Sequence, residues 1–391
     1  MSKAPKLRFK EFSGDWEEKK LGKLGEFKKT YSFSRNVEGE GNYKHIHYGD
    51  IHMNYNGTIS KYKHIPSIDI PSDDSYEFIK ERDIIFADAS EDRKDLGKVA
   101  VVRDIEGNIL SGLHTICFRP NETLNSEFFL NHSLNKEYLK FMYTRGNGAK
   151  VLGISKSNLS EYKFLVPSKE EQEKIASFFS LIDDKISLQG EKVEALKDYK
   201  SGMMQKIFSR ELRFKDDEGR DYPEWEENIL GNICEITTGK LDANAMVENG
   251  QYRFYTCAKE YYRINEYAFD TEALLISGNG AHVGYVHYYK GKFNAYQRTY
   301  VLDKFSENIE YIKYYLDKNL KKRILACKNE GNTPYIVLST LKDMNIMIPS
   351  KEEQIKIAKF MNDIYLKIEK EQEKLDSLNE YKKGLLQQMF V

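Results

Sequence analysis

Apolar residues recur at alternating steps of four and three along two stretches of the chain. In residues 166–209 they fall at Ile175, Phe179, Ile182 and Ile186, then at Val193 and Leu196. In residues 348–391 they fall at Ile357, Met361, Ile364 and Ile368, then at Leu375 and Leu378. This spacing is a coiled-coil seam. Gln189 and Glu371 interrupt it at matching positions, and a polar seam residue fixes register at some cost in stability. Towards the end of each stretch the step shifts, through Tyr199, Met203 and Ile207 and through Tyr381, Leu385 and Met389. Pro167 and Pro349 close the extended runs that lead in. Ser168 and Ser350 then stand at N-cap positions with Glu171 and Glu353 three residues on, which predicts capping boxes. Helices of nearly 40 residues would be about 55–60 Å long at ~1.5 Å per residue. The matching seams predict an antiparallel pair, with Val391 brought close to Leu7-Arg8-Phe9.

The two stretches also align without a gap, and roughly half their positions are identical, which marks an internal repeat. A shorter echo precedes each: GDWEEKKLGKLGEF at 14–27 and PEWEENILGNICEI at 223–236, holding the two tryptophans of the chain, Trp16 and Trp225. Between each head and each long helix lies a segment that does not repeat. The expected organisation is a small domain with its head (1–166), a long helix (167–209), a second such domain (210–348) and a second long helix (349–391).

The inserts read as small, strand-rich α+β domains. Short β-type runs such as IIFADAS and KVAVV surround one predicted helix at 126–143 in the first. The second places ALLISGNGAHVGYVHYY and FNAYQRTYVL before a helix at 308–323. Loops that mix cations, hydroxyls, amides and rings are the candidate contact points. In the first insert these are Lys28, Tyr31, Ser34, Arg35, Ser90, Arg93, Lys94, Arg145 and Lys150. In the second they are Lys240, Lys259, Tyr261, Tyr262, Arg263, Asn279, Tyr296, Gln297, Arg298 and Lys328. Such side chains reach phosphates and base edges alike, Arg being bidentate to guanine and Asn or Gln to adenine. Each taken singly reads more readily as a solvated surface residue than as a contact; the clustering carries the reading.

Composition changes the picture little. A formal net charge of −1 argues against a uniformly basic nucleic-acid protein, yet a DNA-binding field is local. The 27 tyrosines suit contact surfaces. The four cysteines form no metal spacing, no apolar leader opens the chain, and no run of about 18 apolar residues occurs. A reduced, cytoplasmic protein with no membrane partner is expected.

Two constellations invite a catalytic reading. Gly278 to Gly284 resembles a glycine-rich nucleotide loop, and Asn332-Thr-Pro-Tyr335 resembles the tetrapeptide of adenine methyltransferases. The glycine loop runs into YVHYY, a strand, whereas a cofactor loop opens a helix; a hairpin turn is the plainer reading. His45, His47 and His52 with Asp50 could be drawn as a metal site, without a supporting ligand motif. No catalytic, cofactor-binding or metal residue is assigned.

The LRF…W…LG heads (Leu7-Arg8-Phe9, Trp16, Leu21-Gly22; Leu212-Arg213-Phe214, Trp225, Leu230-Gly231) and the P-S-x-E-E-Q helix starts (167–172 and 349–354) carry a resemblance. So does the lead-in from Leu341 to Pro349. The chain resembles, over essentially its whole length, the specificity (S) subunit of a type I restriction–modification enzyme. That resemblance implies two target-recognition domains held by two long antiparallel helices, and an S subunit that binds double-stranded DNA with two methyltransferase (M) subunits. It implies S-adenosylmethionine in the M subunits, ATP and Mg in the restriction (R) subunits, and no cofactor in this chain. The residues alone also allow a coiled-coil protein-interaction adaptor, a standalone DNA-binding protein or an autonomous adenine methyltransferase. Duplicated scaffold blocks suit two copies of one partner about a pseudo-twofold. Diverged inserts suit two unlike half-sites at a spacing set by the helices.

Overall fold

Both periodic stretches are helices, Lys169–Phe208 and Lys351–Met389. A computed structural model describes residues 3–73, 75–148, 151–327 and 335–391. The chain divides into two units. The first joins residues 1–189 to 374–391, and the second is residues 190–373. Each unit therefore takes one half of each long helix.

In the first unit, Glu17–Lys20 of the head pairs antiparallel with Lys163–Val166, the lead-in to the long helix. The main sheet has five strands in the order Gly25–Phe27, Thr115–Pro120, Ile84–Ala87, Val99–Val102, Thr58–Ile59. Alternation sends Ile84 and Phe86 to one face and Ile85 and Ala87 to the other, as a two-residue period requires. The first face packs on Trp16, Phe128 and Phe129 and on both helix halves, where Ile175, Phe179 and Ile182 meet Leu385, Leu386, Met389 and Phe390. Ile186 packs at the margin of that cluster. The Phe179 and Phe390 rings lie 6.0 Å apart, and Lys382 Nζ meets Asp183 Oδ1 at 2.5 Å. Residue numbers rise on one helix as they fall on the other, so the halves run antiparallel as the seams predicted. The Leu7 N–H donates to the Gln388 carbonyl at 2.9 Å, which brings the end of the second helix against the LRF segment.

The second unit repeats this frame. Glu226–Ile229 pairs with Asn345–Ile348. Its sheet runs Glu235–Thr238, Thr299–Asp303, Phe269–Ser277, Val286–Ala295, Tyr252–Tyr255, and adds Tyr262–Ile264 at the edge. The fifth strand is parallel to the fourth in both sheets. Met204 and Ile207 share a core with Ile357, Met361 and Ile364, and Ile368 packs against it. Lys192 meets Glu371 at 3.0 Å and Lys200 lies 5.4 Å from the Tyr365 ring, again an antiparallel register. Val193 is buried, while Leu196, Leu375 and Leu378 are half-buried.

Two features differ from expectation, one in the first repeat alone and one in both. The stretch 126–143 is two helices, Ser126–His132 and Lys136–Arg145. Asn135 breaks it, because its side chain caps the second helix by accepting from the Tyr138 N–H at 2.9 Å. The predicted capping boxes are half-formed. Ser168 Oγ and Ser350 Oγ accept from the Glu171 and Glu353 N–H groups, each at 3.3 Å. The carboxylates, however, are committed elsewhere. Glu171 takes Arg8 in a two-pronged pair, both contacts 2.7 Å. Glu353 takes Arg213 at 3.3 and 2.9 Å and the Trp225 indole N–H at 3.0 Å. The next residue repeats as well: Gln172 and Gln354 accept from the N–H groups of Asn125 and Asn308, and donate to the Pro167 and Pro349 carbonyls. Asn125 and Asn308 in turn cap the domain helices.

Glu353 is fully buried, so removing its cation leaves an uncompensated charge. Arg213→Ala is expected to destabilise the chain by about 3–5 kcal/mol, and Arg213→Lys to recover part of that, since Lys lacks the planar fork. Urea unfolding with the midpoint and slope both recorded checks this; an unchanged midpoint contradicts the role given to the pair.

His132 yields a pH dependence. It is buried, accepts at Nδ1 from the Asn135 amide (3.0 Å) and sits 2.7 Å from the Tyr162 hydroxyl, so Nε2–H is left to donate. Burial pushes its pKa down from 6.5 to about 3. The unfolded chain therefore takes up a proton below pH 6.5 that the folded chain refuses. This contribution is complete above pH 6.5 and lost as the pH falls towards 3, at up to about 1.4 kcal/mol per pH unit. Thermal melts between pH 7 and 5 should fall more steeply for the natural chain than for His132→Gln.

Candidate functional site

Three backbone segments cross at the same place in each unit. In the first, the Asp88 N–H donates to the His114 carbonyl (3.0 Å), and the Asp88 carbonyl accepts from Ile154 (2.8 Å). In the second, the Gly278 N–H donates to the Arg298 carbonyl (2.9 Å), and the Gly278 carbonyl accepts from Ile336 (2.7 Å). Positions 88 and 278, 114 and 298, and 154 and 336 are thus structural equivalents. The crossing lies where strands 84–87 and 269–277 end and strands 115–120 and 299–303 begin, so the sheet fixes it rigidly.

The side chains at the crossing differ. In the first unit Asp88 Oδ1 stands 3.2 Å from His114 Nδ1, and Lys156 Nζ donates to the Lys28 carbonyl beside them at 2.8 Å. Burial raises the Asp88 pKa, and the His114 charge opposes that shift. In the second unit Gly278 leaves a cleft of about 260 Å³ lined by Thr238, Gln297, Arg298, Tyr300 and Ile336. A Cβ at Gly278 would stand 2.3 Å from the Arg298 carbonyl oxygen, so the backbone as placed excludes a side chain there. The Gln297 amide donates to Asp242 at 2.8 Å, and Tyr300 donates to the Ile336 carbonyl at 2.9 Å. Arg298 is exposed and makes no side-chain hydrogen bond or ion pair among the described residues.

The predicted contact residues divide by what the fold does with them. Lys28 pairs with Glu26 at 2.9 Å and Glu77 at 3.3 Å, and these bonds raise its pKa. Arg35 pairs with the buried Asp50 and with Glu38, both at 2.9 Å. The Tyr31 hydroxyl accepts from the Glu77 N–H at 2.7 Å, and its ring packs on Phe33 and Tyr76. Ser34 and Ser90 accept from backbone N–H groups two residues on, and Ser90 is buried. These five hold the first unit's own loops. Arg93, over the Tyr143 ring at 5.0 Å, Lys94 and Arg145 are exposed. Lys150 and Lys328 lie outside the described residues.

In the second unit Lys240, Lys259 and Arg263 are exposed, with Tyr261 and Tyr262 beside them. Tyr296 is half-buried, and Asn279 bridges to Tyr335 next to the cleft. Sequence reasoning passed over Arg253, whose guanidinium lies 4.4 Å from both the Tyr261 and Tyr289 rings. It also passed over His114 and Thr238. A charged residue flanked by strand tyrosines was the available signal for Arg253, whereas nothing local marks the other two.

The segment from Gly278 to Gly284 is the turn between antiparallel strands Phe269–Ser277 and Val286–Ala295, with positive φ at Gly280 and Gly284. Asn332 to Pro334 lie outside the described residues. The three histidines serve structure: His45 Nε2 meets Glu38 at 3.1 Å, His47 and Asp50 form the capping box of helix Tyr48–Met53, and His52 meets the Ala89 carbonyl at 3.1 Å. Among the described residues no helix is long and apolar enough to cross a membrane.

The duplication has a counterpart among known proteins. A family model described as "Type I restriction modification DNA specificity domain" matches residues 13–198 and again residues 222–380. The chain belongs to this family of type I specificity subunits. It is similar to the type I restriction enzyme EcoDI specificity subunit of Escherichia coli, with 38% identity over 156 residues, 40% of this chain and 34% of that protein. The chain thus spans, in that match, about a third of the relative's length. It is similar also to the type I restriction enzyme MjaIX specificity subunit of Methanocaldococcus jannaschii, at 23% identity over 296 residues and 68% of each chain. Among solved structures, the S subunit of a type I restriction–modification system from M. genitalium shares the fold, with a TM-score of 0.62 at 17% identity over 99% of both chains. A chain from a type I R-M system solved for its complex assembly and conformational transition has a TM-score of 0.58 at 16% identity, covering 95% of this chain and 96% of that one.

The division of contact residues gives a direct comparison. Arg35→Ala should lower the melting temperature, because it strands the buried Asp50. Lys259→Ala should leave the melt unchanged while flattening the dependence of DNA affinity on salt by about one unit. Melts paired with a salt titration of DNA binding measure both.

Proposed function

We propose that this chain is the DNA-reading subunit of a type I restriction–modification complex, in which each unit reads one half of a bipartite, asymmetric double-stranded DNA target. One observation carries this: the same frame of head, sheet and helix halves is built twice, while the side chains at the ends of the sheets differ. A frame conserved within one chain serves a common partner, and divergent surfaces on it serve two unlike targets.

The common partners are two methyltransferase subunits, which bind S-adenosylmethionine and methylate adenine. Tyr199 and Tyr381 support a duplicated docking surface, being exposed at equivalent positions of the two long helices. Exposed aromatics of this kind are favoured at interfaces. Restriction subunits, with ATP and Mg, complete the assembly in the cytoplasm, and this chain itself carries no catalysis. Family membership does not favour the coiled-coil adaptor or the autonomous methyltransferase.

Replacing residues 237–347 with the corresponding insert of a relative should change one half of the methylated sequence and keep the other half and the spacing. Mapping methylated adenines in a host genome carrying the complex reads this out. A swap that altered both halves together would refute the two-reader arrangement.

A further inference from the structure

The crossing described above is one backbone frame with two chemistries. Its first version presents a carboxylate held by an imidazole; its second presents a guanidinium over an open cleft. We infer that this crossing is the base-reading point of each unit: Arg298 takes the N7 and O6 acceptors of a guanine, and Asp88 accepts from the exocyclic amino group of a cytosine or adenine. The inference rests on the DNA-reading function proposed above and names the groups that perform it.

The argument is one of donors and acceptors. A guanidinium offers only donors, in a planar fork, and the major-groove edge with two adjacent acceptors is that of guanine. The Arg298 side chain is exposed and makes no hydrogen bond or ion pair among the described residues, so its donors are available. Gly278, at the place of Asp88, leaves the cleft open beside it, with Thr238 at its rim. Arg298 stands in the tight turn that leads into strand Thr299–Asp303. The turn is closed by the Thr299 N–H on the Tyr296 carbonyl at 2.8 Å while the Arg298 carbonyl is held by Gly278, so the backbone that carries the fork is pinned on both sides. An ionised carboxylate only accepts, and the amino groups that project into the major groove are those of cytosine and adenine. His114 Nδ1, 3.2 Å from Asp88 Oδ1, orients that carboxylate. The contrast with Lys28 and Arg35 is direct, since those cations are already paired with carboxylates of their own unit.

The test maps methylated adenines in a host carrying the whole complex, with the natural chain, Arg298→Lys, Arg298→Ala and Asp88→Asn. The half-site governed by residues 237–347 should contain a guanine. Arg298→Lys keeps the charge and most of the stem but loses the fork. It should relax that guanine alone, with discrimination against other bases falling about tenfold, and Arg298→Ala should relax it further. Asp88→Asn should loosen one amino-bearing base in the other half and leave the guanine fixed. A half-site without guanine, or an unchanged motif with Arg298→Lys, overturns the assignment of Arg298; an unchanged opposite half with Asp88→Asn overturns that of Asp88. If instead the swap of residues 237–347 leaves the methylated sequence unaltered, the DNA-reading function itself falls, and the inference with it.

Discussion

A carboxylate buried at the start of each long helix is the constraint on which the rest of the structure depends. Glu171 and Glu353 are almost entirely removed from water, and an isolated buried charge is costly. Each is matched by an arginine from the head, Arg8 or Arg213, whose remaining donors reach the carbonyls of Ser13 and Gly14 or of Tyr222 and Pro223. A single ion pair thus holds the head turn against the helix start in each unit. The adjacent glutamine ties the same helix turn to the residue that caps the domain helix. Head, insert and long helix are fixed at one point, and loops on the far side of the insert are free to diverge. The two copies are not identical. Trp225 donates to Glu353, whereas the Trp16 indole N–H is buried without a partner among the described residues.

The apolar seams act within each unit as a clamp of two helix halves. In the first unit Ile175, Phe179 and Ile182 continue the core of the small domain into the helix pair, and Phe390 packs on Trp16 and Phe128. In the second, Met204, Ile207, Ile357 and Met361 do the same around Trp225 and Tyr311. The helices are therefore not a separate layer. Each half is a wall of its unit's hydrophobic core, which keeps the sheet and its crossing of strands in a fixed orientation to the helix surface.

Much of this frame was legible in the sequence, because periodic burial leaves a periodic pattern. The seam residues, the heads, the N-cap serines and the helix after Asn308 could be read from spacing alone. The legible signals failed where a side chain had two possible partners. Glu171 sits at the capping-box position but bonds an arginine far away in sequence, and Asn135 caps a helix where continuation was equally compatible with the apolar pattern. The contact residues were harder for the same reason. Lys28, Arg35 and Arg298 look alike as loop cations, and only the fold reveals that two have carboxylate partners. His114 gives no local signal, since its relation to Asp88 exists only once two strands pair.

The sharing of helix halves has a consequence for the order of assembly. The second unit is one uninterrupted stretch, residues 190–373, and closes with contacts inside that stretch. The first is discontinuous: Leu385, Met389 and Phe390 complete a core whose other members precede residue 190. Its closure must span the entire second unit. Such a loop adds entropic cost only slowly with length but delays the contact in time. During synthesis the second unit has all its parts while the first still exposes the apolar wall around Trp16 and Phe179. The interval before residues 374–391 arrive is when the nascent protein is most open to misassociation.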